Sequence, residues 1–400
     1  MKTAVEPYRR LFRLPGIPSL VALGLVTRIP ATATGLTITL HVVQTLGLSW
    51  AQAGVAGTAS TVGIAVGSPL LGRVVDRRGA RAVVAVTSVV QLVFWLTAPS
   101  LPYEALVGAA FVGGLLMLPV FGLIRQCVAA MVPRDQHRTG FALDSMCVEL
   151  SYMVGPAVGA AAVSTLSSTV AMRAVGIGFA LAGLGFFLLN PPTRSAEELA
   201  EGPHRKVPTR RWLNVRVLTI FGVTSALTFV LTATDLAIVA TLEKAGDAAW
   251  IGLVIGLWCF ASLVGGFVYG VLPRGFSPLV MIGGLCALTI PVGLVGGGWW
   301  WLIPALIPGG LLCAPSLSTT VDYVSKSVPA AARGESMGLH GTFLTIGVSS
   351  AGPAAGLIID TWGPSWAFAG AGAIGLVLVL VAVPFWRMPV KTAEPVQVPA

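Results

Sequence analysis

Long apolar runs dominate this sequence and leave few folds open to it. Only 10% of its 400 residues are charged, whereas soluble domains carry about 25%. A helix of about 20 apolar residues crosses a bilayer core, and lipid offers no partners to the backbone groups of open strands or loops. The runs are too long for barrel strands, so the sequence predicts an all-α membrane protein of twelve transmembrane helices. Their expected ranges are 16–43, 50–71, 82–99, 104–131, 140–164, 171–190, 215–242, 249–271, 278–297, 299–325, 334–359 and 364–386.

The second half of the sequence repeats glycine patterns of the first half at an offset of 196 to 198 residues. Three such matches at nearly one offset predict two pseudo-symmetric six-helix bundles, 1–190 and 214–400. Segment 191–213 lies between them, is rich in proline and charge, and is predicted to be a cytoplasmic linker. The matches pair Gly113-Gly114 with Gly309-Gly310, Gly67 and Gly72 with Gly265 and Gly270, and Gly155-Pro156 with Gly352-Pro353.

Positive charge is distributed unevenly along the chain, with nearly all of its 25 Lys and Arg residues between helices or at the termini. These residues share one side of the membrane if both termini are cytoplasmic, which is the arrangement that the positive-inside rule favours. The sequence therefore predicts a multi-pass protein of the cell membrane, embedded in lipid as a monomer. The net charge of +9 follows from this topology and does not indicate nucleic-acid binding.

The densest cluster of charge lies between the second and third predicted helices. There Gly72 allows a close helix contact, and Gly79 permits the positive φ that a tight turn often needs. Asp76 is suited to a helix N-terminus, where the dipole and free N–H groups favour a carboxylate. Arg77 and Arg81 hold the loop in the cytoplasm. An ordinary positive-inside loop would account for the charge, but not for this spacing.

These five residues form the pattern G-x-x-x-D-R-x-G-x-R. The pattern resembles the loop between helices two and three of major facilitator superfamily transporters, and the resemblance extends over nearly the whole chain. It implies two six-helix halves that alternate access to a central site, with the hairpin as part of the conformational switch. It also implies a small-molecule substrate.

A second motif, Gly155-Pro156-x-x-Gly159, lies in the fifth predicted helix. Pro156 removes one backbone N–H and bends the helix, and the two glycines allow close packing. The motif resembles the G-P motif of the superfamily's antiporters, which implies a role in conformational switching. The match is partial, because Ser151 and Ala160 stand where the family pattern has further glycines. Since the motif recurs in the eleventh helix, a bend inherited with the repeat is the alternative.

Charged residues inside the predicted helices are the candidates for transport and coupling. Arg28, Glu149 and Asp235 are expected deep in the bilayer, where charge is costly and usually faces a cavity or a partner. Glu149 and Arg28 are expected at similar depth, so that Arg28 would control the proton affinity of Glu149. Arg125 and Asp144 are predicted to form a second charge pair. The alternative role for such residues is structural pairing that fixes helix register.

Other kinds of site find no support in the sequence. The five cysteines form no C-x-x-C pair and the four histidines have no ligand spacing, so neither a metal site nor disulfides are predicted. Catalytic triads and phosphate-binding loops are not evident, which predicts neither a cofactor nor enzymatic activity.

Together these features predict a secondary active transporter that exports a small amphipathic organic molecule in exchange for protons. Two alternatives remain open at this point. The first is an uptake permease for a sugar, amino acid or organic acid. The second is a transport-inactive membrane sensor or scaffold built on the same fold.

Overall fold

The structure is a computed structural model that describes residues 2–195, 197–198, 207–247, 250–272, 274–294 and 298–387. Helices dominate these ranges, which contain no strand, so the predicted all-α fold is confirmed. Eleven segments are long and apolar enough to cross a membrane, and a shorter apolar one follows the eighth. Spans 1 to 12 are Ile17–Thr45, Gln52–Arg78, Ala80–Ser100, Tyr103–Met131, Arg134–Thr165, Ser168–Leu189, Val215–Ala245, Ile251–Val271, Pro278–Leu294, Trp299–Ser327, Ala330–Trp362 and Pro364–Trp386.

Local sequence signals explain where several spans begin and end. Ser49 and Gln52 form a capping box ahead of span 2, which satisfies backbone N–H groups that a helix start leaves free. Spans 2 and 3 are separated by Gly79 alone, at φ 80°. A positive φ of this size is strained for residues with a Cβ, so the glycine allows the chain to reverse within one residue.

Span 4 is the one most clearly interrupted. Its helix Tyr103–Leu115 stops before Pro119, and a second helix, Val120–Met131, continues toward the hairpin end. Gln91 of span 3 donates a hydrogen bond of 2.7 Å to the carbonyl of Gly113. Such a partner is needed because a free carbonyl inside a membrane is costly. The break sets the direction of the second helix, which carries Arg125.

Equivalent glycine contacts recur in the two halves of the molecule, the first half being spans 1–6 and the second half spans 7–12. A Cβ at Gly67 would collide with the backbone of Leu115, and a Cβ at Gly265 would collide with that of Leu311. Spans 2 and 4 therefore approach each other as spans 8 and 10 do. This equivalence is the structural counterpart of the repeat seen in the sequence.

The two halves meet at one end of the molecule, the end that carries the hairpin Gly72–Arg81. Spans 2 and 11 pack there backbone to backbone, with Gly72 against Gly334 and Ser68 against Gly338. Spans 5 and 8 also pack together, whereas spans 1 and 7 share no extended contact. The cleft between the halves is therefore closed at the hairpin end and open toward the opposite end.

Candidate functional site

The hairpin carboxylate caps a helix of the opposite half. Asp76 accepts hydrogen bonds from the backbone N–H groups of Gly334, at 2.8 Å, and Glu335, at 2.9 Å. Both donors lie in the first turn of the helix Arg333–Trp362 of span 11. Free N–H groups and the helix dipole make this a favourable place for negative charge. The sequence predicted a helix N-terminus for Asp76, and the helix in question belongs to span 11.

Ion pairs and linker residues surround this cap. Arg73 pairs with Glu335 at 2.6 Å, and Arg333 pairs with Glu198 of the linker at 2.8 Å. Partial burial alone would raise the pKa of Glu198, but hydrogen bonds from Arg333 and from the backbone of Ser195 bring it below its usual value. Glu198 therefore stays charged and joins the linker to span 11. The sequence did not predict these ion pairs, because a charged residue by itself does not identify a partner that is distant along the chain.

Arg77 and Arg81, the two arginines of the hairpin pattern, differ in their surroundings. Arg81 donates a hydrogen bond to the carbonyl of Phe187 and lies over its ring at 5.1 Å. This contact fixes the hairpin to span 6 within the first half. Arg77 is exposed and interacts electrostatically with Glu335. The hairpin is thus fixed to its own half through Arg81 and to the opposite half through Asp76 and Arg73.

The helix that precedes span 1 reinforces the closed end. Tyr8, in the helix Lys2–Phe12, donates its hydroxyl to the carbonyl of Phe267 at 3.1 Å and stacks on the Phe267 ring at 5.0 Å. Burial raises the pKa of the Tyr8 hydroxyl, so the hydroxyl remains a donor. Nearby, Thr139 of span 5 donates to the carbonyl of Gly270 of span 8 at 2.8 Å.

We expect Asp76→Asn to weaken this closed end without unfolding the protein. An amide retains one acceptor oxygen but loses the charge that the helix dipole favours, an effect of roughly 0.3–2 kcal/mol. The ratio of closed to open molecules should fall by up to about tenfold, measured as labelling of a cysteine that replaces Ser68, a nearly isosteric change at the contact with Gly338. Asp135→Asn, which removes a charge from an exposed loop at the same end, is the control. Equal labelling of both variants would mean that Asp76 does not stabilise the closed end and only marks the position of the loop.

The Gly-Pro motif of span 5 packs against span 1. Gly155 lies against Thr32, and a Cβ at Gly159 would lie 3.1 Å from Thr37 Oγ1. The copy of the motif in span 11 is packed differently, because Cβ atoms at its glycines would meet open space. That copy consists of Gly352 and Gly356, on either side of the Pro353 that corresponds to Pro156. Close packing at the motif is therefore a feature of the first half alone.

Three charged residues of the first half converge on one buried site. Arg28 of span 1 pairs with Asp144 of span 5, and Arg125 Nε of span 4 lies 3.5 Å from Asp144 Oδ2. The Arg28 guanidinium also lies over the ring of Phe121 at 5.3 Å. All three charged side chains are almost completely buried. Two guanidinium groups share one carboxylate, so the cluster carries an excess positive charge.

Arg28 was expected beside Glu149, but its ion-pair partner is Asp144. The reason is helical geometry, because five residues turn a helix by 1.4 turns and place the two carboxylates about 140° apart. Asp144 therefore faces spans 1 and 4, and Glu149 faces the second half. The prediction used only the depth of each residue in the membrane, and depth does not determine which way a side chain faces around the helix.

Glu149 of span 5 and Asp235 of span 7 lie close enough across the two halves for their charges to interact. Their carboxylates interact electrostatically, and the Glu149 carboxylate also interacts with the hydroxyl of Ser262 in span 8. Both side chains are partly exposed, which for residues this deep means that they line the cleft. Among the described residues, no Lys, Arg or His lies within ion-pair distance of either carboxylate.

An aromatic residue lies between the carboxylate pair and the arginine cluster. Tyr152 is 57% exposed to the cleft and stacks on Phe121 with centroids 6.2 Å apart. Its hydroxyl interacts electrostatically with Glu149 on one side and with Arg28 and Arg125 on the other. The cleft therefore offers two acidic groups, an aromatic wall and, behind it, buried positive charge.

A histidine that the sequence left without a role extends the arginine cluster into the second half. His340 of span 11 lies with Nδ1 3.2 Å from Arg125 Nη1 and with Nε2 3.0 Å from Thr320 Oγ1 of span 10. The histidine is completely buried. Its one sequence signal was its position within an apolar run, which is more typical of a packed core residue.

Comparison with known proteins identifies the fold. A family model described as Major Facilitator Superfamily matches residues 20–290 and 220–400. Among functionally curated proteins, none matches the chain significantly. Solved structures with the same fold include the human organic anion transporter MFSD10, with a TM-score of 0.71 at 16% identity over 91% of this chain and 98% of that one.

Two further structures have similar agreement. A bacterial homologue of the iron transporter ferroportin in the outward-facing state has a TM-score of 0.72 at 14% identity, over 92% of this chain and 98% of that one. The proton:xylose symporter XylE has a TM-score of 0.71 at 14% identity, over 92% and 95% of the two chains. At such identities the structures support the fold, while the family model covers nearly the whole sequence. The chain therefore belongs to the major facilitator superfamily, whose members transport molecules across membranes.

Proposed function

We propose that this transporter is a proton-coupled antiporter that exports a small amphipathic organic cation. The observation that carries the proposal is the Glu149–Asp235 pair, two carboxylates from opposite halves that interact in the cleft. Two like charges close together inside the membrane are costly, so in this proposal the pair shares a proton when no substrate is bound. A cationic substrate stabilises the doubly ionised pair and displaces that proton. Binding of substrate and binding of protons thus exclude each other, which is the requirement for antiport.

The cycle follows from the position of this pair between the halves. While the hairpin end is closed, a proton from the open end reaches the carboxylates. When the halves rock and the hairpin end opens, substrate enters and the proton leaves. Tyr152 and Phe121 offer aromatic surface to the apolar body of such a substrate. In this proposal the halves, 1–190 and 214–400, move as domains joined by the linker.

The proposed orientation has the hairpin and both termini in the cytoplasm of a cell whose plasma membrane holds the protein. Its support is the concentration of Lys and Arg at the hairpin end and in the linker. With this orientation, the state with a closed hairpin end opens to the outside. The coupling ion is the proton, and the working unit is a monomer.

Transport of ethidium, a fluorescent organic cation, into inverted vesicles tests the proposal. With an acidic interior we expect ethidium to accumulate, and collapse of the pH gradient by nigericin should release it. A cysteine at Gly275, an exposed residue at the hairpin end, reports orientation and should react with an impermeant thiol reagent only in inverted vesicles. Accumulation in right-side-out vesicles with acid outside would indicate an uptake permease. No gradient-dependent movement in either orientation would indicate a sensor or scaffold.

A second candidate is a carrier of organic acids, and the arginine cluster favours it. Arg28 and Arg125 share the single carboxylate of Asp144, which leaves excess positive charge behind the aromatic wall. An organic anion would compensate that charge if the cleft extended to it. Gradient-dependent movement of labelled benzoate, with no gradient-dependent movement of ethidium, would support this candidate over the export of cations.

A further inference from the structure

The hydrogen bonds of His340 have directions that chemistry dictates. A guanidinium has donors only, so Arg125 must donate and Nδ1 of His340 must accept. The imidazole is therefore neutral and carries its proton on Nε2, which donates to Thr320 Oγ1. The Thr320 hydroxyl in turn donates to the carbonyl of Leu317 at 2.8 Å. Each hydrogen bond from Arg125 to the backbone of span 10 therefore has one donor and one acceptor.

This chain joins the two halves near the closed end. Arg125 belongs to the first half, while His340 and Thr320 belong to the second. The bond must break when the hairpin end opens, because spans 4 and 11 then separate. A group that controls this bond therefore controls part of the barrier, meaning the contacts that close the hairpin end of the cleft.

The charges around His340 are unfavourable to an imidazolium. Arg125 is the charged group that faces it, and Arg28 lies just behind. Asp144 is already occupied by both guanidinium groups, and Asp322 of span 10 pairs with Lys326 at 2.7 Å. The other ring against His340 is that of Phe221, with centroids 6.4 Å apart. A second proton on His340 would place two donors face to face and add positive charge to a cluster that already has an excess.

We propose that His340 is a second proton-accepting residue of the transport cycle, and that its protonation opens the hairpin end. This inference rests on the proposed proton coupling of the carrier. In the step, a hydronium ion transfers its proton to the Nδ1 lone pair and leaves as water, and the hydrogen bond from Arg125 is lost. Repulsion between the imidazolium and Arg125 then separates spans 4 and 11. Deprotonation after opening restores the acceptor and allows the halves to close.

Distances between spin labels on the two halves test this step. Labels at Asp135→Cys and Phe276→Cys occupy exposed loops of opposite halves at the hairpin end, in a background without the native cysteines. In substrate-free lipid nanodiscs, we expect the long-distance population to grow as the pH falls from about 8 to about 5, the range in which histidines titrate. One linked proton changes the population ratio by up to about tenfold per pH unit.

The variant His340→Asn keeps an acceptor toward Arg125 at every pH and should abolish this response, leaving the hairpin end closed. His41→Asn is the matched control: His41 is equally buried but bonds to Ser168 within the first half. Its pH response should equal that of the wild type. If His340→Asn does not fold, Thr320→Val, which removes the acceptor of Nε2–H, should shift the midpoint of the response.

The outcomes separate this inference from the proposed function. An unchanged pH response in His340→Asn, or a wild type without one, overturns the role of His340 even if ethidium is transported. A response that is lost only in Glu149→Gln also overturns it and leaves the carboxylate pair as the single coupling site. A response that depends on His340 in a protein that moves no ethidium against a gradient supports the switch and contradicts the proposed transport activity.

Discussion

Glu149→Gln is expected to abolish transport of ethidium against a gradient while leaving exchange across the membrane partly intact. The amide preserves the shape of the side chain and a hydrogen bond with Ser262, but it has no proton to release. It also removes one of the two negative charges of the pair with Asp235, so a cationic substrate no longer displaces a proton. Binding of ethidium should become nearly independent of pH. The proton gradient should then no longer drive the transport of ethidium.

Two measurements on reconstituted protein separate these effects. Uphill accumulation in vesicles should fall to background, whereas exchange of labelled for unlabelled ethidium at equal pH should continue. Glu104→Gln is the control, because it neutralises an exposed carboxylate of the same type at the start of span 4. Asp235→Asn should reproduce the loss of coupling. If Glu149→Gln accumulates ethidium like the wild type, Glu149 is a structural partner and Asp235 becomes the residue that carries the proton.

Asp144→Asn is expected to destabilise the folded protein severely. It leaves the guanidinium groups of Arg28 and Arg125 buried without a carboxylate. Removing one partner of a buried ion pair costs about 3–5 kcal/mol, because the remaining charge is not compensated. The yield of monodisperse protein in detergent and its apparent melting temperature should both fall sharply.

Asp322→Asn provides the matched control for this stability measurement. Asp322 pairs with Lys326 one turn away, and the lysine is half exposed, so the pair contributes about 0.3–0.5 kcal/mol. The triple variant Arg28→Leu/Arg125→Leu/Asp144→Leu removes all three buried charges together, and replacing a whole buried ion cluster by apolar residues is often tolerated. It should recover much of the lost melting temperature. A melting curve for Asp144→Asn that matches the wild type would mean that another group neutralises the arginines.

The fold could be predicted from the sequence because its determinants are patterns that can be read along the chain. Apolar length predicts the spans, and glycine spacing predicted the equivalence of Gly67 with Gly265. The hairpin was also recognisable, since its five residues lie within ten positions of one another. The ninth span was expected to reach 297, and its described part ends at Leu294 because residues 295–297 lie outside the described ranges.

Partners across the chain were harder to predict, because they depend on helix rotation and on the conformational state. A rotation of about 140° decided that Asp144, and not Glu149, faces Arg28. His340 and Glu198 meet partners distant in the sequence, Arg125 and Arg333, in the state with a closed hairpin end. A single sequence encodes every state of the cycle, so it does not show which contacts belong to one state.

The backbone contact between Gly72 and Gly334 has a consequence for turnover. Side chains that order on contact lose rotamer entropy, about 0.5–1.5 kcal/mol each when they are long, and glycine has none to lose. Closing this part of the barrier therefore orders no side chain, and reopening it releases none. A carrier must visit both of its end states in every cycle, and a deep free-energy well at either one would slow the return. Contact through glycine gives a close seal that remains easy to reverse.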